Sequence, residues 1–514
     1  MICVGIDLGT TSSAVAISDG NTPRLIPDSL GRTILPSLVV IRKDRQFFVG
    51  HEAVAEARKY SGQNLTIGSL KRMMDRKKEF QSGEVRSSPQ ILTALILAEL
   101  KIQAEMHLGK EVNQAVIAVP ANFGFFQRQF VKEAARIAGW EVLRIQNEAT
   151  AAVCGLSSES DQLVIAADLG GGTFDVSVIL FGDGVYEVKA AGGDGRLGGE
   201  DFTDILIKII LNKAPNDFDI ESIQHDSLSM QRIKDVAEES KLLLSGSEAV
   251  EVRVPYIKTH RDILKNIVCT VSRAEFEAQC APLLLRMEKN IERVLREAEL
   301  PAASANIWLL GNASRMPAIS QHLRRKYQVR PPTLADLKAS VALGAARNAA
   351  VLKGLDKNLL LLDVTPCSLG ILKQDGTFEP LVRKNSTIPA WIAKTFTTMS
   401  DNQTSINVPI LEEAESGVDS HKVIGELRME NIPARRAGTQ TIEVIFEVDA
   451  NNILHVSAKL KGQTSAMSCW RRKAEHELGN VICNDLQLPE KTLNQYRLLV
   501  QDWIQERRKH WLKS

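Results

Sequence analysis

Two segments of this sequence share one pattern, an aspartate that opens a glycine- and threonine-rich turn between apolar runs. Residues 7–11 read Asp-Leu-Gly-Thr-Thr, and residues 168–173 read Asp-Leu-Gly-Gly-Gly-Thr. Apolar residues flank the first segment at 2–6 and 14–17 and the second at 163–167 and 176–180. Each segment is therefore predicted to be a β-hairpin with a glycine tip. This duplication constrains the fold more than any other feature of the chain.

The chemistry of the two tips favours a phosphate ligand. Glycine lets backbone N–H groups approach an anion closely, and threonine hydroxyls add hydrogen-bond donors. Asp7 and Asp168 would repel phosphate unless a divalent cation lay between them, so they predict Mg²⁺ held largely through its water molecules. A single glycine hairpin is more often a plain tight turn, whereas two copies favour a clamp for a polyphosphate.

Composition excludes several other classes of protein. The chain has 514 residues, of which 44% are hydrophobic and 24% charged, enough for about three domains without a disulfide or metal staple. A net charge of +1 does not favour nucleic acid or a membrane surface as partner. Seven scattered cysteines without a C-x-x-C pair are typical of reduced proteins, and no targeting segment begins the chain. We expect a cytoplasmic location.

The region between the hairpins alternates apolar strands with amphipathic helices, which predicts α/β lobes. One helix has clear boundaries, since Ser88 can cap it, Pro89 fits its first turn and Gly109 can end it. A second helix is predicted over residues 127–138, and Glu148 is expected at the end of the following strand. Ligands in α/β folds bind at such strand ends.

The pattern changes after residues 355–362, which end in four leucines. A short buried strand and an interdomain linker both explain this run. Short alternating strands follow, at 408–411, 442–448 and 453–458, with turn residues between them, and this is typical of a β-sandwich. After Pro489, apolar residues recur at helical spacing to the end of the sequence, which predicts one terminal helix.

At several of these motifs the sequence resembles the DnaK type of seventy-kilodalton heat-shock chaperones, whose ATPase half shares duplicated lobes with actin and the sugar kinases. The matching segments are residues 5–11, 71–72, 119–121, 147–152, 168–175, 197–202 and 360–370. The resemblance implies an α/β actin-like ATPase domain with duplicated lobes over 1–354, a linker over 355–362 and a β-sandwich peptide-binding domain over 363–475. A truncated helical tail over 476–514 would make the chain a short-lid, divergent, HscC-like member.

The resemblance also implies which residues act on the nucleotide. The catalytic residues would be Lys71, Glu148, Asp168 and Thr173, and the cation would lie near Asp7, Asp168 and Asp175. The nucleotide contacts would come from Gly9, Thr10, Thr11, Ser12, Gly170, Gly171, Gly172, Gly198, Gly199, Glu238, Lys241, Ser245, Gly311, Asn312 and Arg315. The implied cofactors are ATP or ADP with Mg²⁺, and K⁺ is a further candidate ion.

Residue chemistry alone supports plainer interpretations of these positions. Lys71 lies in a basic segment that resembles a solvated surface, and acids at strand ends usually cap helices or form salt bridges. Residues 193–198 fit G-x-G-x-x-G, but the match merges into the family's 197–202 motif, so we reject a dinucleotide site. Leu242 replaces the family's usual adenine-stacking arginine, and Asn312-Ala313 replaces Gly-Ser, which predicts reduced nucleotide affinity.

The resemblance places a peptide groove and a coupling path in the chain. The groove would be lined by Ile371, Phe396, Met399, Ile406 and Val408, although such apolar residues most often form a core. Coupling would depend on Pro120, Arg128, Arg144, Leu360, Leu361, Leu362 and Asp363. Gln374, Asn122 and Phe125 depart from the family's usual residues in these regions.

The sequence therefore predicts a chaperone whose Mg·ATP binding and hydrolysis control binding of extended or unfolded apolar polypeptide. A J-domain co-chaperone and a nucleotide exchange factor are the implied partners, with no nucleic acid or membrane. The truncated lid predicts fast peptide release. The alternatives are an ATP-binding peptide scaffold with little hydrolysis and an actin-like or sugar-kinase ATPase, but the latter does not explain the leucine run before a β-sandwich.

Overall fold

Helices and strands alternate in the first part of the chain, and strands dominate its last part. The computed structural model describes residues 2–20, 22–44, 46–59, 64–74, 78–156, 162–261, 263–301, 306–331, 339–357, 359–373, 376–413, 421–461, 467–468 and 490–511. Gln374 lies outside these residues. The predicted mixed α/β class is confirmed.

The first lobe comprises the elements that precede residue 156. Its elements are β1 (Cys3–Asp7), β2 (Ser12–Ser18), β3 (Pro23–Leu25), β4 (Leu35–Pro36), β5 (Val39–Ile41), β6 (Phe47–Val49), α1 (His51–Lys59), β7 (Leu65–Ile67), β8 (Phe80–Ser82), β9 (Val85–Ser87), α2 (Pro89–Leu108), β10 (Gln114–Val119), α3 (Phe125–Ile137), β11 (Glu141–Asn147) and α4 (Glu148–Gly155). Five strands form the path β11-β10-β1-β2-β3, and β4 also pairs with β2.

The second lobe continues to residue 352. Its elements are β12 (Gln162–Leu169), β13 (Phe174–Gly182), β14 (Val185–Asp194), α5 (Gly199–Asn212), α6 (Ile220–His225), α7 (Ser227–Leu244), β15 (Ala249–Lys258), β16 (Leu264–Ser272), α8 (Arg273–Glu297), β17 (Asn306–Leu310), α9 (Pro317–Leu323), β18 (Gln328–Arg330) and α10 (Ser340–Leu352). The path β18-β17-β12-β13-β14 repeats the strand order and strand directions of the first sheet.

Both predicted hairpins are confirmed, and each forms the centre of its sheet. In the first, Asp7 pairs with Ala14 across antiparallel β1 and β2. In the second, Leu169 pairs with Phe174 across antiparallel β12 and β13. In each lobe a parallel strand, β10 or β17, pairs with the other edge of the first hairpin strand. The two tips therefore occupy equivalent positions in their sheets.

The boundaries of α2 agree with the prediction, whereas the start of α3 does not. Ser88 accepts a hydrogen bond from Ile91 N, Pro89 begins α2, and Gly109 ends it at φ 62°, so this prediction is confirmed. The prediction that α3 begins at residue 127 is wrong, because the helix begins at Phe125. The reason is that Gly124 is its N-cap residue, and Gln127 Oε1 accepts a 2.9 Å hydrogen bond from Gly124 N.

Small residues let α10 cross close to the first lobe. A Cβ atom on Gly344 would lie 1.7 Å from Ala151 O in α4, and one on Gly5 would lie 2.0 Å from Ala346 N. No side chain fits at either position, so glycine permits this close contact. Helix α10 thus packs directly on both α4 and the central strand β1.

The remaining elements are mainly strands. They are β19 (Leu360–Leu362), β20 (Leu369–Leu372), β21 (Phe378–Val382), β22 (Ala390–Thr397), β23 (Ile406–Glu413), β24 (His421–Met429), β25 (Thr441–Val448), β26 (Leu454–Leu460), β27 (Met467–Ser468) and α11 (Glu490–Trp511). Strand β19 adds to the second lobe's sheet, parallel to β14. The other strands form two four-stranded sheets, β21-β20-β23-β24 and β22-β25-β26-β27. Residues of both sheets contribute to one apolar core. We call these two sheets the C-terminal sheets.

The terminal helix is confirmed, and it packs against the first lobe. Leu493, Val500 and Ile504 of α11 belong to the same apolar core as residues of α2 and α3. Trp503 Nε1 donates a 3.1 Å hydrogen bond to Phe47 O. Among the described residues, no helix combines the length and the apolar character needed to cross a membrane.

Candidate active site

The two hairpin tips meet at one cleft of about 1180 Å³ between the lobes. A Cβ atom on Gly171 would lie 2.4 Å from Thr11 Oγ1, and one on Gly172 would lie 2.3 Å from Thr10 Cγ2. Any side chain at these two positions would push the tips apart, so glycine allows the contact. The tips can thus act together on one anionic ligand.

Most of the predicted site residues line this cleft. They are Asp7, Gly9, Thr10, Thr11, Ser12, Lys71, Glu148, Asp168, Gly170, Gly171, Thr173, Gly199, Glu238, Lys241, Ser245, Gly311, Asn312 and Arg315. The lining does not include Gly172, Gly198 or Asp175. A Cβ atom on Gly198 would lie 2.6 Å from Gly171 O, so Gly198 packs behind the second tip. The predicted nucleotide contacts of Gly172 and Gly198 and the predicted cation contact of Asp175 stay predictions, as do the ligand contacts of the lining residues.

Lys71 and Glu148 form a buried ion pair in the cleft wall. Lys71 lies in a 3₁₀ turn, Leu70–Met73, and Glu148 is the first residue of α4. The composition around Lys71 favoured a solvated surface, but folding places its ammonium group against the carboxylate from another element. Burial of two charges costs free energy that their attraction only partly offsets, so such a pair is weak evidence for a purely stabilising role.

The two hairpin aspartates are buried close to other acids. Burial, with repulsion from Glu148, raises the pKa of Asp7 to about 7. Burial raises the pKa of Asp168 to about 8, with further contributions from Glu148 and Asp7. Lys71 acts in the opposite direction at both groups. A cation bound beside these carboxylates would relieve the repulsion and stabilise their charged forms.

Asp175 is a third acid behind the second tip. Its Oδ1 accepts a 2.6 Å hydrogen bond from Ala121 N, which ties the loop after Pro120 to the second lobe. Its Oδ2 is buried and has no hydrogen-bond partner among the described residues. Burial, with repulsion from Glu148 and Asp168, raises its pKa well above the ordinary value.

These acids fit a cation that is held mainly through water. Within the described ranges, no three His, Cys, Asp or Glu side chains converge closely enough to hold a metal ion directly. Mg²⁺ usually keeps several of its waters and takes only one or two carboxylates from the protein. The carboxylates of Asp7 and Asp168, with their raised pKa values, therefore suit Mg²⁺ together with phosphate.

The opposite end of the cleft carries a polar network on α5 and α7. Lys241 Nζ donates to Gly199 O at 2.8 Å, to Thr203 Oγ1 at 2.8 Å and to Glu238 Oε2 at 2.7 Å. Ser245 follows the end of α7, and its hydroxyl donates to Lys241 O at 3.3 Å. Glu238, Lys241 and Ser245 thus lie on one face of the C-terminal end of α7. Thr203 was missed because nothing in the local sequence marks a buried helical threonine as a partner of Lys241.

Leu242 and Arg315 also line the cleft at this end. Leu242 lines the cleft with 61% of its surface exposed, and Arg315 lines it from the turn Asn312–Arg315. Gly311, at φ 77°, precedes that turn, and a Cβ atom on it would lie 2.3 Å from Asp168 Oδ1. Only glycine at position 311 allows the turn to lie this close to the second hairpin.

Arg72 is a further residue that the sequence interpretation left without a role. Its Nε donates to Gly172 O at 2.8 Å, and its Nη2 donates to Asp201 Oδ2 at 2.6 Å. The same Asp201 oxygen accepts a 2.7 Å hydrogen bond from Gly198 N. Arg72 therefore holds the turn that carries Lys71 against the second tip. Its only sequence signal is its position next to Lys71.

The predicted coupling residues lie on a path from the cleft to β19. Arg128 is buried and donates from Nε to Phe123 O at 2.8 Å and from Nη2 to Asn147 Oδ1 at 2.6 Å. Asn147 in turn donates to Asp363 Oδ1 at 3.0 Å. Arg144, on the same strand as Asn147, donates to Asn348 Oδ1 at 3.3 Å.

The leucine run forms strand β19 on the second lobe. Leu360, Leu361 and Leu362 pair with residues 185–187 of β14. Leu361 is 8% exposed, whereas Leu360 is 53% exposed. The interpretation as a short strand is confirmed, and this strand belongs to the sheet that carries the second hairpin.

Most of the predicted peptide-groove residues lie in the core of the C-terminal sheets. Ile371 and Val408 are buried, and Phe396 and Ile406 pack against the same core. Met399 is 70% exposed, and its N–H donates a 2.7 Å hydrogen bond to Gln403 Oε1. The groove assignment stays a prediction.

A comparison with protein-family models agrees with this arrangement. The family described as Hsp70 protein matches residues 3–87 and 78–481 of the chain. These matches include both hairpins, the cleft residues, β19 and the C-terminal sheets.

Proposed function

This chain belongs to the Hsp70 family of ATP-dependent chaperones, and we propose that Mg·ATP in the cleft controls its binding of extended apolar polypeptide. The observation that carries this proposal is the position of β14. This strand pairs on one side with β13 of the second hairpin and on the other side with β19. A displacement of the hairpin by nucleotide would therefore be passed directly to the segment that leads into the C-terminal sheets.

The proposed architecture follows the same division. Residues 1–354 form an actin-like ATPase domain with duplicated lobes, supported by the repeated strand order of the two sheets. Residues 355–362 are the linker, residues 363–475 a β-sandwich for peptide, and residues 476–514 a tail that contains helix α11. Strand pairing between the linker and the second lobe supports this assignment.

In the cleft, each tip binds phosphate oxygens through its backbone N–H groups and through Thr10, Thr11 and Thr173. Lys71 stabilises charge on the γ-phosphoryl group during transfer, and Glu148 orients the attacking water. Support comes from their ion pair, whose two side chains line the same cleft as both tips. Mg²⁺, held near Asp7 and Asp168, would neutralise charge on the phosphates.

The residues at the other end hold the nucleoside. Glu238, Lys241 and Ser245 line one wall, and Arg315 lines the opposite side. Leu242 offers an apolar side chain to the base where an arginine would add a cation–π contact of about 1 kcal/mol. We therefore propose weaker nucleotide binding than in a relative that has arginine at this position.

The partners and location follow from family membership. Unfolded or extended polypeptide is the proposed client, and a J-domain co-chaperone and a nucleotide exchange factor are the proposed regulators. Cytoplasmic location, K⁺ as a second ion and an HscC-like subtype are part of the same proposal. Support for a J-domain contact comes from the position of Arg144 near Asp363 at the linker.

The test is single-turnover ATP hydrolysis with and without an extended apolar peptide. We expect peptide to accelerate hydrolysis in the natural protein, and we expect Lys71→Ala to lower the rate about 10²-fold or more. Lys208→Ala is the matched control, because Lys208 is an exposed lysine on α5. Circular dichroism of both variants would show whether either substitution disturbs the fold.

Two outcomes would contradict the proposal in different ways. Tight ATP binding without turnover in any variant would favour the scaffold function, which the exposed Leu242 in the cleft supports. Turnover without any response to peptide would favour a separate ATPase.

A further inference from the structure

The N-terminus of α3 is capped by a side chain from the C-terminal sheets. Phe125 N–H donates a 2.9 Å hydrogen bond to Glu412 Oε2, although the two residues are 287 positions apart. The Phe126 N–H also hydrogen-bonds to this carboxylate. Glu412 lies in β23 and is buried. The first N–H groups of a helix have no partner within it, so a carboxylate at this position stabilises the helix.

The N-cap residue of the helix is Gly124, and the only local cap contact among the described residues is the hydrogen bond from Gly124 N–H to Gln127 Oε1, which leaves the Phe125 N–H without a local acceptor. Glycine provides no side-chain oxygen for this role, and no side-chain cap hydrogen bond is made by Gly124. A Cβ atom at this position would lie 2.6 Å from Glu412 Oε2 and 2.8 Å from its Cδ. The absence of a side chain at residue 124 therefore leaves the space that the distant carboxylate occupies.

Neighbouring groups hold the carboxylate in place from the side of the C-terminal sheets. Lys422 on β24 lies opposite Glu412 in the register of the two antiparallel strands, and its Nζ lies 4.1 Å from the centre of the Phe126 ring. Cys367 Sγ lies 4.0 Å from Glu412 Oε2. Lys422 thus contacts the first turn of α3 through the aromatic ring of Phe126.

We propose that Glu412 is a removable N-cap that couples docking of the C-terminal sheets to the conformation of α3. The inference rests on the proposed function, and it adds that these sheets separate from α3 and dock on it again as the nucleotide state changes. While they are docked, the first turn of α3 is capped. When they separate, Glu412 leaves, and Gly124 cannot replace it. Docking and the order of this turn therefore rise and fall together.

The position of α3 gives this cap a route to the active site. Arg128 follows one turn after the capped residues and donates to Asn147 at 2.6 Å. Asn147 is adjacent to Glu148, the partner of Lys71. A change in the first turn of α3 can thus move the arginine that supports the catalytic wall. Glu412 is a positioning residue in this scheme, since it does not line the cleft.

Hydrogen exchange of the full chain with ATP tests the cap directly. In Glu412→Ala we expect the Phe125 and Phe126 amides to exchange about fivefold to tenfold faster, which corresponds to loss of one N-cap. Limited proteolysis of residues 355–362 should accelerate by a similar factor, because docking is weakened. Glu413→Ala is the matched control. Glu413 is the exposed neighbour of Glu412, so this substitution removes a carboxylate from the same strand without removing the cap. Glu412→Gln, which keeps an acceptor oxygen, should give an intermediate effect.

A second substitution separates capping from docking. Gly124→Asp gives the helix a cap of its own and places a side chain where Glu412 lies. We expect this variant to keep slow amide exchange while linker cleavage accelerates. The proposal is overturned if Glu412→Ala behaves like Glu413→Ala in both measurements, or if Gly124→Asp leaves linker cleavage unchanged.

ATP hydrolysis and its response to peptide are measured separately on the same samples. If ATP hydrolysis by the natural protein does not respond to peptide but the exchange and cleavage results are as expected, the proposed chaperone function is contradicted and the Glu412 cap is supported. If peptide does change ATP hydrolysis but Glu412→Ala changes neither amide exchange nor linker cleavage, the proposed role of Glu412 is contradicted and the proposed chaperone function is supported.

Discussion

The Asn147 side chain hydrogen-bonds to Asp363, with 3.0 Å between Nδ2 and Oδ1, and both side chains are buried. Asn147 also accepts a 2.6 Å hydrogen bond from Arg128. Its chain neighbour, Glu148, forms the ion pair with Lys71, and Asp363 directly follows β19. One asparagine therefore joins the wall of the cleft to the segment that enters the C-terminal sheets.

Asn147→Ala should weaken docking of the linker without preventing nucleotide binding. The substitution removes partners from buried Arg128 and Asp363, and a buried group left unpaired costs about 1–3 kcal/mol. We expect faster proteolysis of residues 355–362 in the presence of ATP, with ATP affinity changed by about twofold or less. Asn216→Ala, at an exposed position, is the control. Unchanged proteolysis in Asn147→Ala would show that this contact does not support docking.

Glu148→Gln should reduce hydrolysis while preserving ATP binding. An amide cannot orient or deprotonate water as a carboxylate does, and such groups contribute about 10²-fold or more to rate. The substitution also removes a charge that raises the pKa of Asp168, so that pKa should fall. Single-turnover hydrolysis and equilibrium ATP binding would be measured, with exposed Glu251→Gln as the control. A rate close to that of the natural protein would exclude Glu148 from the chemistry.

Mg·ADP binding should release protons and weaken at low pH. Burial and repulsion between neighbouring acids raise the pKa of both Asp168 and Asp7, so in the metal-free protein both carboxyls hold protons at higher pH than usual. Because cation binding requires the charged forms, affinity should fall about tenfold or more from pH 8 to pH 6. Calorimetry in two buffers with different ionisation enthalpies would detect the protons. Heats that are independent of buffer would contradict this expectation.

Leu361→Ala should release β19 from the second lobe, whereas Leu360→Ala should not. Leu361 is 8% exposed and Leu360 is 53% exposed in the same strand. Truncation of a buried leucine costs about 2–5 kcal/mol, and truncation of an exposed one costs much less. Amide exchange of residues 360–362 in the presence of ATP would compare the two variants directly. Equal effects would mean that leucine burial does not hold this strand in place.

Arg507→Ala should destabilise attachment of α11 to the first lobe by about 3 kcal/mol, because it leaves the buried Glu99 carboxylate without this partner. Arg507 Nε and Nη2 donate to Glu99 at 3.0 and 2.9 Å. Arg508 is the natural control: its side chain is 46% exposed, and its partner Glu105 also pairs with Lys101 at 3.1 Å. We expect Arg508→Ala to cost about 1 kcal/mol or less. Amide hydrogen exchange of residues 490–511 would compare the two, and similar losses would contradict the prediction.

The sequence predicted the elements whose causes are local. The glycine tips of both hairpins, the capped helix α2 and the terminal helix follow from residues only a few positions apart, and these predictions are confirmed. The start of α3 was missed because it depends on Gly124 and on a distant carboxylate rather than on a cap residue in the helix. Lys71 was recognised through a family motif, since its own surroundings in the sequence indicate a solvated surface.

By itself, then, the sequence determined which residues could bind phosphate and where strands and helices form, because propensity, capping and alternation act over a few residues. Only the tertiary structure decided which charges are buried together. It brought Lys71 to Glu148, Arg72 to Asp201, Glu412 to Phe125 and Arg507 to Glu99. Each contact joins residues that are far apart in the chain, and its free energy depends on burial and distance, which exist only after the lobes and sheets have packed.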